Sequence, residues 1–498
     1  MQIKEQNEIN WIDSRIKQDE IDKYLDNGKC FLDEIEINNA LKDNCEPDSN
    51  YIRKILNKSL MIKNLSLKET AALLNVKDPD VLSEMKDAAL KIKKKVYDNR
   101  VVTFAPLYLG NYCVNNCLYC GFKKDNIDAQ RKVLDHQEII NETKALAGEI
   151  GHKRLIVVYG EHPKNDIDYI VDSISTIYNV KVKARQGEGN IRRVNVNAPP
   201  FAINDLKKLP QVGIGTYQVF QETYHRQTYE HIHPSNTIKG NYLWRLYAMH
   251  RAFEAGIDDI GLGVLFGLYD WKFEVMALIK HSLELERVFG IGPHTVSFPR
   301  LEPALNTKMD DLMNYQVSDE DFKKIILVLR LSIPHTGMII TARESGAMRK
   351  ESLELGVTQM DASTKIGVGA YQKDTNIQDE HKQQFILGDQ RSLDELIREL
   401  CSEGMITSFC TAGYRCGRTG KCIMDLLRKG EEGKFCKLNA IITFQEWLDD
   451  FSSEDTKKIA RPIIEKEINE VQEKYPEIYP KFKEFYERTK NGERDLYI

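Results

Sequence analysis

The sequence predicts an α/β fold, a (βα)8 TIM-type barrel that follows a helical N-terminal extension and precedes a small C-terminal domain. Three observations predict it. Apolar residues recur at helical spacing over roughly the first hundred positions, short apolar runs then alternate with amphipathic segments about eight times, and a group of cysteines follows where this alternation stops. We expect the three regions to span residues 1–98, 99–371 and 372–498.

The N-terminal region has the pattern of packing helices. Ser66-Leu-Lys-Glu69 has the form of a capping box, in which the serine and glutamate side chains satisfy free N–H groups at a helix start. The apolar positions around it are three or four residues apart, as one helix face requires. They are Leu67, Ala71, Leu74, Val81, Met85, Ala88, Ala89 and Ile92.

The barrel region contains eight candidate strands. Parallel strands are buried on both faces, so continuous apolar runs are expected rather than alternation. The runs are Val101 to Leu109, Leu155 to Val158, Val194 to Ala198, Ile214 to Phe220, Ile260 to Phe266, Thr295 to Pro299, Met338 to Thr341 and Thr358 to Asp361. Helix-like stretches lie between them, such as Gln137 to Ala147, Trp244 to Ala255, Phe273 to Val288 and Asp321 to Leu331.

A cysteine triad follows the first strand, in Cys113-Val-Asn-Asn-Cys117-Leu-Tyr-Cys120. Three thiolates at this spacing can hold three irons of a 4Fe-4S cube, and the open fourth iron can chelate S-adenosylmethionine (SAM). A zinc site would need a fourth ligand nearby and disulfides would need an oxidising compartment, but the next cysteine is Cys401 and His136 lies past a charged stretch. The motif therefore predicts a radical SAM enzyme, in which one electron cleaves SAM to a 5'-deoxyadenosyl radical.

Active sites of such barrels lie at the carboxyl ends of the strands, which directs attention to polar residues there. Gly160 and Glu161 end the second strand and could approach and bind the methionyl part of SAM, although glycine and glutamate pairs are also common in turns. After the fourth strand, Glu222 could bind ribose or ammonium groups, and Gln221 and His225 could hydrogen-bond a substrate. The alternative for this last set is a solvent-facing loop.

Charged and polar residues also follow the last three strands. Arg300 follows the sixth strand, Arg343 the seventh and Ser363 the eighth. Together they could bind the carboxylate and amine of an amino acid, since arginine is suited to bidentate contact with a carboxylate. An ion-pair ring at the rim explains such residues equally well. The sequence indicates no general base, and the catalytic residues are unknown at this point.

The C-terminal region holds a second cysteine group, after the polar stretch from Gln372 to Gln384 and the helix-like segment from Leu393 to Leu400. Its five members are Cys401, Cys410, Cys416, Cys422 and Cys436. Five cysteines close together in a chain that already has an iron-sulfur motif favour a second iron-sulfur site. The alternative is five unrelated, reduced cysteines. The charged stretch from Asp455 to Ile498 is predicted to be a helix pair.

Charge and hydropathy exclude other classes. The net charge of −5 provides no electrostatic reason to expect nucleic acid as a partner. No apolar run is long enough for a membrane span, and residues 1–8 have the features of neither a signal peptide nor a transit peptide. We therefore expect a cytoplasmic protein with no membrane partner.

The sequence as a whole resembles the tyrosine lyases of the radical SAM superfamily, nearest to those of the FeFe-hydrogenase maturation (HydG) type. The segments that carry the resemblance run nearly end to end. They are residues 99–109, 151–155, 191–197, 213–217, 220–225, 256–268 and 292–297, and in the C-terminal region Ser408-Phe-Cys-Thr-Ala412, Gly417-Arg-Thr-Gly420 and Asn439-Ala440.

The resemblance implies a reaction. The deoxyadenosyl radical takes a hydrogen atom from the amino group of L-tyrosine, the Cα–Cβ bond breaks, and p-cresol and dehydroglycine form. In the hydrogenase branch, an auxiliary cluster held by Cys-x2-Cys-x22-Cys then helps to produce carbon monoxide and cyanide, whereas the thiamine-pathway relative stops at dehydroglycine. Reduced ferredoxin or flavodoxin as electron donor and other hydrogenase maturation proteins are the partners that the resemblance implies.

The chain departs from this family pattern at functional positions. Cys410 and Cys436 keep the first and third places of the C-terminal motif, but Gly413 stands where the family has its middle cysteine. Cys416 or Cys422 could substitute, or the carbon monoxide and cyanide step could be lost. Glu302 replaces a cation after the sixth strand, where it would repel a carboxylate, and the eighth-strand loop is changed to Asp361-Ala-Ser-Thr-Lys365.

Three hypotheses about function remain open on the sequence. The first is a tyrosine lyase of the maturase type. The second is a thiamine-type 2-iminoacetate synthase, or a paralogue with another amino acid substrate. The third is a non-catalytic iron-sulfur carrier or scaffold that has kept the barrel, and SAM cleavage would separate it from the other two.

Overall fold

The computed structural model describes residues 10–307, 313–372, 378–430 and 433–498. Its strands are, in chain order, β1 Arg100–Gly110, β2 Arg154–Tyr159, β3 Lys181–Lys183, β4 Glu188–Asn190, β5 Arg193–Asn197, β6 Tyr217–Gln218, β7 Ile260–Gly263, β8 Thr295–Ser297, β9 Gly337–Ile340, β10 Gln359–Asp361 and β11 Ile406–Ser408. Each of the eight predicted strands corresponds to one of these.

Eight of the strands close into a parallel barrel. They pair in the order β1, β2, β5, β6, β7, β8, β9 and β10, and β10 pairs back to β1 with Val102 opposite Gln359 and Phe104 opposite Asp361. The predicted (βα)8 TIM-type barrel is therefore confirmed. Two features were not predicted: the small antiparallel hairpin of β3 and β4, and β11, which pairs with the first residues of β1.

Helices precede the barrel, alternate with its strands and follow it. Before it lie Asp19–Asp22, Glu34–Asp43, Ser49–Leu60, Leu67–Asn75 and Pro79–Tyr97. In the barrel region lie His136–Lys144, Ile167–Asn179, Ile203–Leu206, Lys208–Val212, Arg226–Ile232, Tyr242–Leu246, Ala248–Glu254, Trp271–Phe289, Asp319–Ser332 and Gly346–Leu355. After it lie Leu393–Ser402, Ala412–Arg415, Gly420–Lys429, Gly433–Asp450, Glu454–Lys474 and Tyr479–Lys490.

The helix predictions hold with two differences. The capping box at Ser66 and Glu69 is formed, and the C-terminal helix pair is present. The first barrel helix continues into a π-helical turn, Ala145–Ile150. The stretch predicted as one helix from Trp244 to Ala255 is divided at Tyr247, which has φ −90° and ψ 14°.

The N-terminal helices are bonded to the outer layer of the barrel. The long helix Pro79–Tyr97 is apolar on one face and places its buried Lys93 ammonium on the carbonyl of Leu353, 2.7 Å away. The Tyr97 hydroxyl donates to the carbonyl of His335 at 2.7 Å. A buried polar group needs such a partner, so these bonds fix where the extension packs.

Buried ion pairs join the C-terminal helices to the rest of the chain. The Lys437 ammonium lies 2.7–2.8 Å from the carboxylates of Asp98, Glu467 and Glu470. Among the described residues, no other group of three or more His, Cys, Asp or Glu side chains has its ligand atoms close enough together to bind one metal ion. The Lys437 ammonium already supplies the cation for these three carboxylates.

None of the described helices has the length and apolar character needed to cross a bilayer.

Candidate active site

The cysteine loop follows β1 and lies at the carboxyl ends of the barrel strands. Cys117 is buried, Cys113 and Cys120 are half-buried, and all three line one cavity. The Arg131 guanidinium holds the loop by donating to four of its carbonyls, those of Asn111, Phe122, Lys123 and Asn126, at 2.6–3.3 Å. Four bonds to one rigid planar group fix the shape of the loop.

The three thiols fit a cluster with one open iron. All are free of disulfides, and they converge on the same cavity. Burial raises the pKa of Cys117 to about 12, so its thiolate would need a bound cation. The Gln384 amide also donates to the Cys120 sulfur, at 3.5 Å.

Gly160 and Glu161 lie against the cysteine loop. A Cβ at position 160 would lie 2.3 Å from the Tyr112 carbonyl oxygen, so only glycine permits this approach. The Asn115 amide donates to one carboxylate oxygen of Glu161 at 2.6 Å, and the other oxygen is buried with no hydrogen-bond partner among the described residues. An unsatisfied carboxylate oxygen at a cavity wall suits a ligand ammonium.

Glu222 provides a second carboxylate in the same cavity. The Lys239 ammonium lies 2.8 Å and the Arg245 guanidinium 3.3 Å from its Oε1. Burial alone would raise the pKa of Glu222, but these two cations outweigh it and lower the pKa, so the carboxylate is ionised at neutral pH. Its φ of +71° is in the left-handed region, where a non-glycine residue is held only by surrounding contacts.

Arg343, which follows β9, also lines the cavity. Its guanidinium stacks on the Phe385 ring at 3.3 Å, and none of the described carboxylates lies within 4.0 Å of it. Burial lowers its pKa. Gln218 and Ser297 also line this cavity, and within the described part of the chain the Gln218 Oε1 and the Ser297 Oγ are buried without partners. A cation without a carboxylate partner, in a cavity that also presents such polar atoms, suits a substrate that carries a carboxylate.

Four predicted site residues lie outside this cavity. Arg300 is held by Glu344 and, at 2.8 Å, by Asp319, which matches the ion-pair alternative. The Ser363 hydroxyl accepts from the Leu393 backbone amide at 2.8 Å and lines a neighbouring groove. These contacts are structural.

The other two follow the fourth barrel strand. His225 caps the helix Arg226–Ile232 and stacks on Tyr269, with ring centroids 3.7 Å apart. Gln221 is buried, with no partner for its amide, but only its neighbours Phe220 and Glu222 line the cavity. The structure therefore brings together Gly160, Glu161, Glu222 and Arg343 with the three cysteines.

Glu302 does not line the cavity either. It is half-buried, and burial and the nearby Glu344 carboxylate raise its pKa. The Arg343 guanidinium lies close enough to oppose this rise in the Glu302 pKa, so the two charges partly compensate each other. Of the two, only Arg343 lines the cavity.

Sequence reasoning missed several cavity residues. Asn115 could have been found, because it lies inside the cysteine motif. Lys239 and Arg245 belong to a single 3-10 turn and a short α-helix with no recognisable motif. Gln384 lies in a stretch that had only a linker composition.

The second cysteine group lies at the other end of the barrel. Cys410 follows β11, and its carbonyl accepts from Arg154, the first residue of β2, at 3.1 Å. The Tyr414 hydroxyl donates to Asp259 at 2.7 Å, and Arg193 stacks on the Tyr414 ring. These partners lie at the amino ends of their strands, away from the cysteine loop.

The donor set of this second group is incomplete. Gly413 has no ligand atom, and a Cβ there would face the Arg418 carbonyl oxygen at 3.4 Å. Cys416 and Cys422 are exposed, while Cys410 and Cys436 are half-buried. The residues present do not fit a cluster held by three thiolates at the positions 410, 413 and 436.

Comparison with known proteins agrees with this geometry. The family model described as "Radical SAM superfamily" matches residues 107–280, and "Biotin and Thiamin Synthesis associated domain" matches residues 297–406. The chain is 30% identical to 2-iminoacetate synthase of Escherichia coli K12 over 353 residues, 70% of this chain and 88% of that enzyme.

Two solved structures of HydG are similar along almost the whole chain. One, a maturase of the FeFe-hydrogenase, is 46% identical with a TM-score of 0.88, covering 94% of this chain and 100% of that one. The other, from Carboxydothermus hydrogenoformans, is 34% identical with a TM-score of 0.76, covering 96% of this chain and 100% of that one.

Proposed function

The chain belongs to the radical SAM family that includes the 2-iminoacetate synthases and HydG, and on that premise we propose that it is a carbon–carbon lyase acting on a free amino acid, with L-tyrosine as the expected substrate. One observation carries the proposal. A single cavity is lined by three thiols, by the anchored carboxylates of Glu161 and Glu222, and by the Arg343 guanidinium, which none of the described carboxylates pairs. This set provides carboxylates for SAM and a cation for an amino acid carboxylate.

The residues have distinct roles in this proposal. Cys113, Cys117 and Cys120 would hold a 4Fe-4S cluster, which together with SAM supplies a 5'-deoxyadenosyl radical that removes a hydrogen atom from the substrate amine. Glu161 binds the methionyl ammonium of SAM and Glu222 the ribose hydroxyls. Arg343 binds the substrate carboxylate and thereby orients the amine.

In the first step of the proposed reaction, tyrosine loses one hydrogen atom to the deoxyadenosyl radical. Cleavage of Cα–Cβ then gives dehydroglycine and a 4-hydroxybenzyl fragment, which takes up one electron and one proton to become p-cresol. Reduced ferredoxin or flavodoxin supplies the electrons. Because Gly413 leaves the C-terminal cysteine motif incomplete, we propose that dehydroglycine is the final product, as in a 2-iminoacetate synthase, and that carbon monoxide and cyanide are not formed.

Product analysis tests this proposal. Anaerobically reconstituted protein would be given SAM, dithionite and L-tyrosine, and 5'-deoxyadenosine, p-cresol and carbon monoxide would be followed together. We expect the first two to rise in step without carbon monoxide. Deoxyadenosine without p-cresol would contradict tyrosine as the substrate, carbon monoxide would contradict the proposed end product, and cluster-loaded protein that forms none of these would support the scaffold hypothesis.

A further inference from the structure

Asn115 is the buried polar side chain at the centre of the cysteine loop, only 2% exposed. Both polar atoms of its amide group form hydrogen bonds. The Nδ2 group donates to the Glu161 carboxylate at 2.6 Å and lies 3.7 Å from the Cys113 sulfur. The Oδ1 accepts from the backbone amide of Lys239 at 2.9 Å. These bonds fix the orientation of the amide.

Each partner of Asn115 leads to one of two carboxylates that line the cavity, Glu161 and Glu222. Glu161 is bonded directly, so that one of its oxygens is fixed and the other is free. Lys239 is held at its backbone by Asn115, and its ammonium donates to Glu222 at 2.8 Å. One side chain therefore links the cysteine loop to both carboxylates.

We propose that Asn115 is a positioning residue for SAM, which sets Glu161 and Glu222 at the correct separation from the open iron. The inference rests on the proposed roles of these two carboxylates. The Asn115 amide donates to the carboxylate through Nδ2 and accepts from the backbone N–H through Oδ1, which neither an alanine nor an ionised aspartate side chain can do. Aspartate could still accept from Lys239 but would face the Glu161 carboxylate with a second negative charge.

A purely structural role for Asn115 predicts a different result. If Asn115 only held the shape of the cysteine loop, substituting it would lower the iron content of the protein. The neighbouring Asn116 provides a matched control, because it lies in the same loop, is half-buried and bonds the exposed Asp125 rather than a cavity residue. Asn116→Ala changes the loop by the same number of atoms without touching either carboxylate.

The test measures SAM affinity separately from cluster content. Iron per chain and the electron paramagnetic resonance spectrum of the reduced cluster would be recorded for wild type, Asn115→Ala, Asn115→Asp and Asn116→Ala, and the cluster signal would then be titrated with SAM. We expect both Asn115 variants to retain their iron and to bind SAM about 10- to 100-fold more weakly, the loss expected of one charge-assisted hydrogen bond. Asn116→Ala should match wild type.

Two results would overturn the inference. One is SAM affinity within about threefold of wild type in both Asn115 variants. The other is loss of iron from both, which would show the structural role. Failure of the proposed function is distinguishable from either, because there the wild-type cluster signal itself would not respond to SAM.

Discussion

Arg343 and Arg300 show how two arginines with the same sequence signal differ in the folded chain. Both follow a barrel strand and both were candidates for the substrate carboxylate. Arg300 is neutralised by Glu344 and Asp319, whereas Arg343 lines the cavity with no described carboxylate in ion-pair range. Sequence position cannot distinguish them, because pairing depends on residues that are distant along the chain.

This difference predicts separate effects of two matched substitutions. Arg343→Gln should raise the KM for tyrosine about 10- to 100-fold, because a bidentate contact with the carboxylate is lost, and should leave SAM affinity unchanged. Arg300→Gln should leave KM unchanged and destabilise the fold by on the order of 2 kcal/mol, because it removes the partner of the buried Glu344. Steady-state kinetics and thermal unfolding of both variants would check this, and an equal rise in KM for both would contradict the assignment.

At the scale of elements, the sequence predicted the strands better than the segments between them. Buried parallel strands are apolar throughout, so all eight barrel strands were recognisable. The strand β11 was missed because it lies beyond the βα alternation and its stability comes from pairing with β1, including the hydroxyl contact between Thr103 and Thr407 at 2.6 Å. The helix break at Tyr247 was missed because no glycine or proline marks it.

The same reasoning applies to the candidate site. The cysteine loop, Glu161 and Glu222 were predictable because each follows a strand end, where barrel chemistry is expected. Lys239 reaches Glu222 from the short 3-10 helix Ile238–Gly240, which follows the fourth barrel strand. No spacing rule describes such a single turn, since its position is fixed by tertiary contacts.

One helix-to-loop contact predicts a pH dependence. Glu274, on the helix Trp271–Phe289, accepts hydrogen bonds from the Thr223 hydroxyl and the Tyr224 amide, which directly follow Glu222. Burial raises its pKa to about 8. Because the folded pKa lies above the unfolded one, this group stabilises the fold fully below about pH 4.3 and the contribution is lost as the pH rises to about 8.

Substitution should remove this dependence. Between about pH 5 and 8 the free energy of unfolding of wild type should fall by about 1 kcal/mol per pH unit through this group. Glu274→Gln, which carries no titrating proton, should show a flatter profile, while the control Glu351→Gln, at an exposed pair with Lys323, should keep the wild-type slope. Urea unfolding at several pH values measures this, and an unchanged slope in Glu274→Gln would contradict it.

For the whole molecule, the distribution of thiols over the two ends of the barrel decides what the chain can make. The carboxyl end has a complete set of three cysteines, and the amino end has Cys410 and Cys436 with Gly413 between them. We therefore expect about four irons per chain after reconstitution, the content of one 4Fe-4S cluster. Cys117→Ser should remove most of this iron, whereas Cys410→Ser and Cys436→Ser should retain it.

The iron count also connects the two ends to the reaction. If wild type binds about four irons and forms dehydroglycine, one site at the carboxyl end accounts for the whole activity. If iron is near eight and falls in Cys410→Ser, then exposed thiols such as Cys416 or Cys422 complete a second cluster, and the absence of carbon monoxide would no longer follow from Gly413. Iron and sulfide analysis of the wild type and the three variants therefore shows whether the amino end holds a second cluster. The step from dehydroglycine to carbon monoxide and cyanide would depend on that cluster.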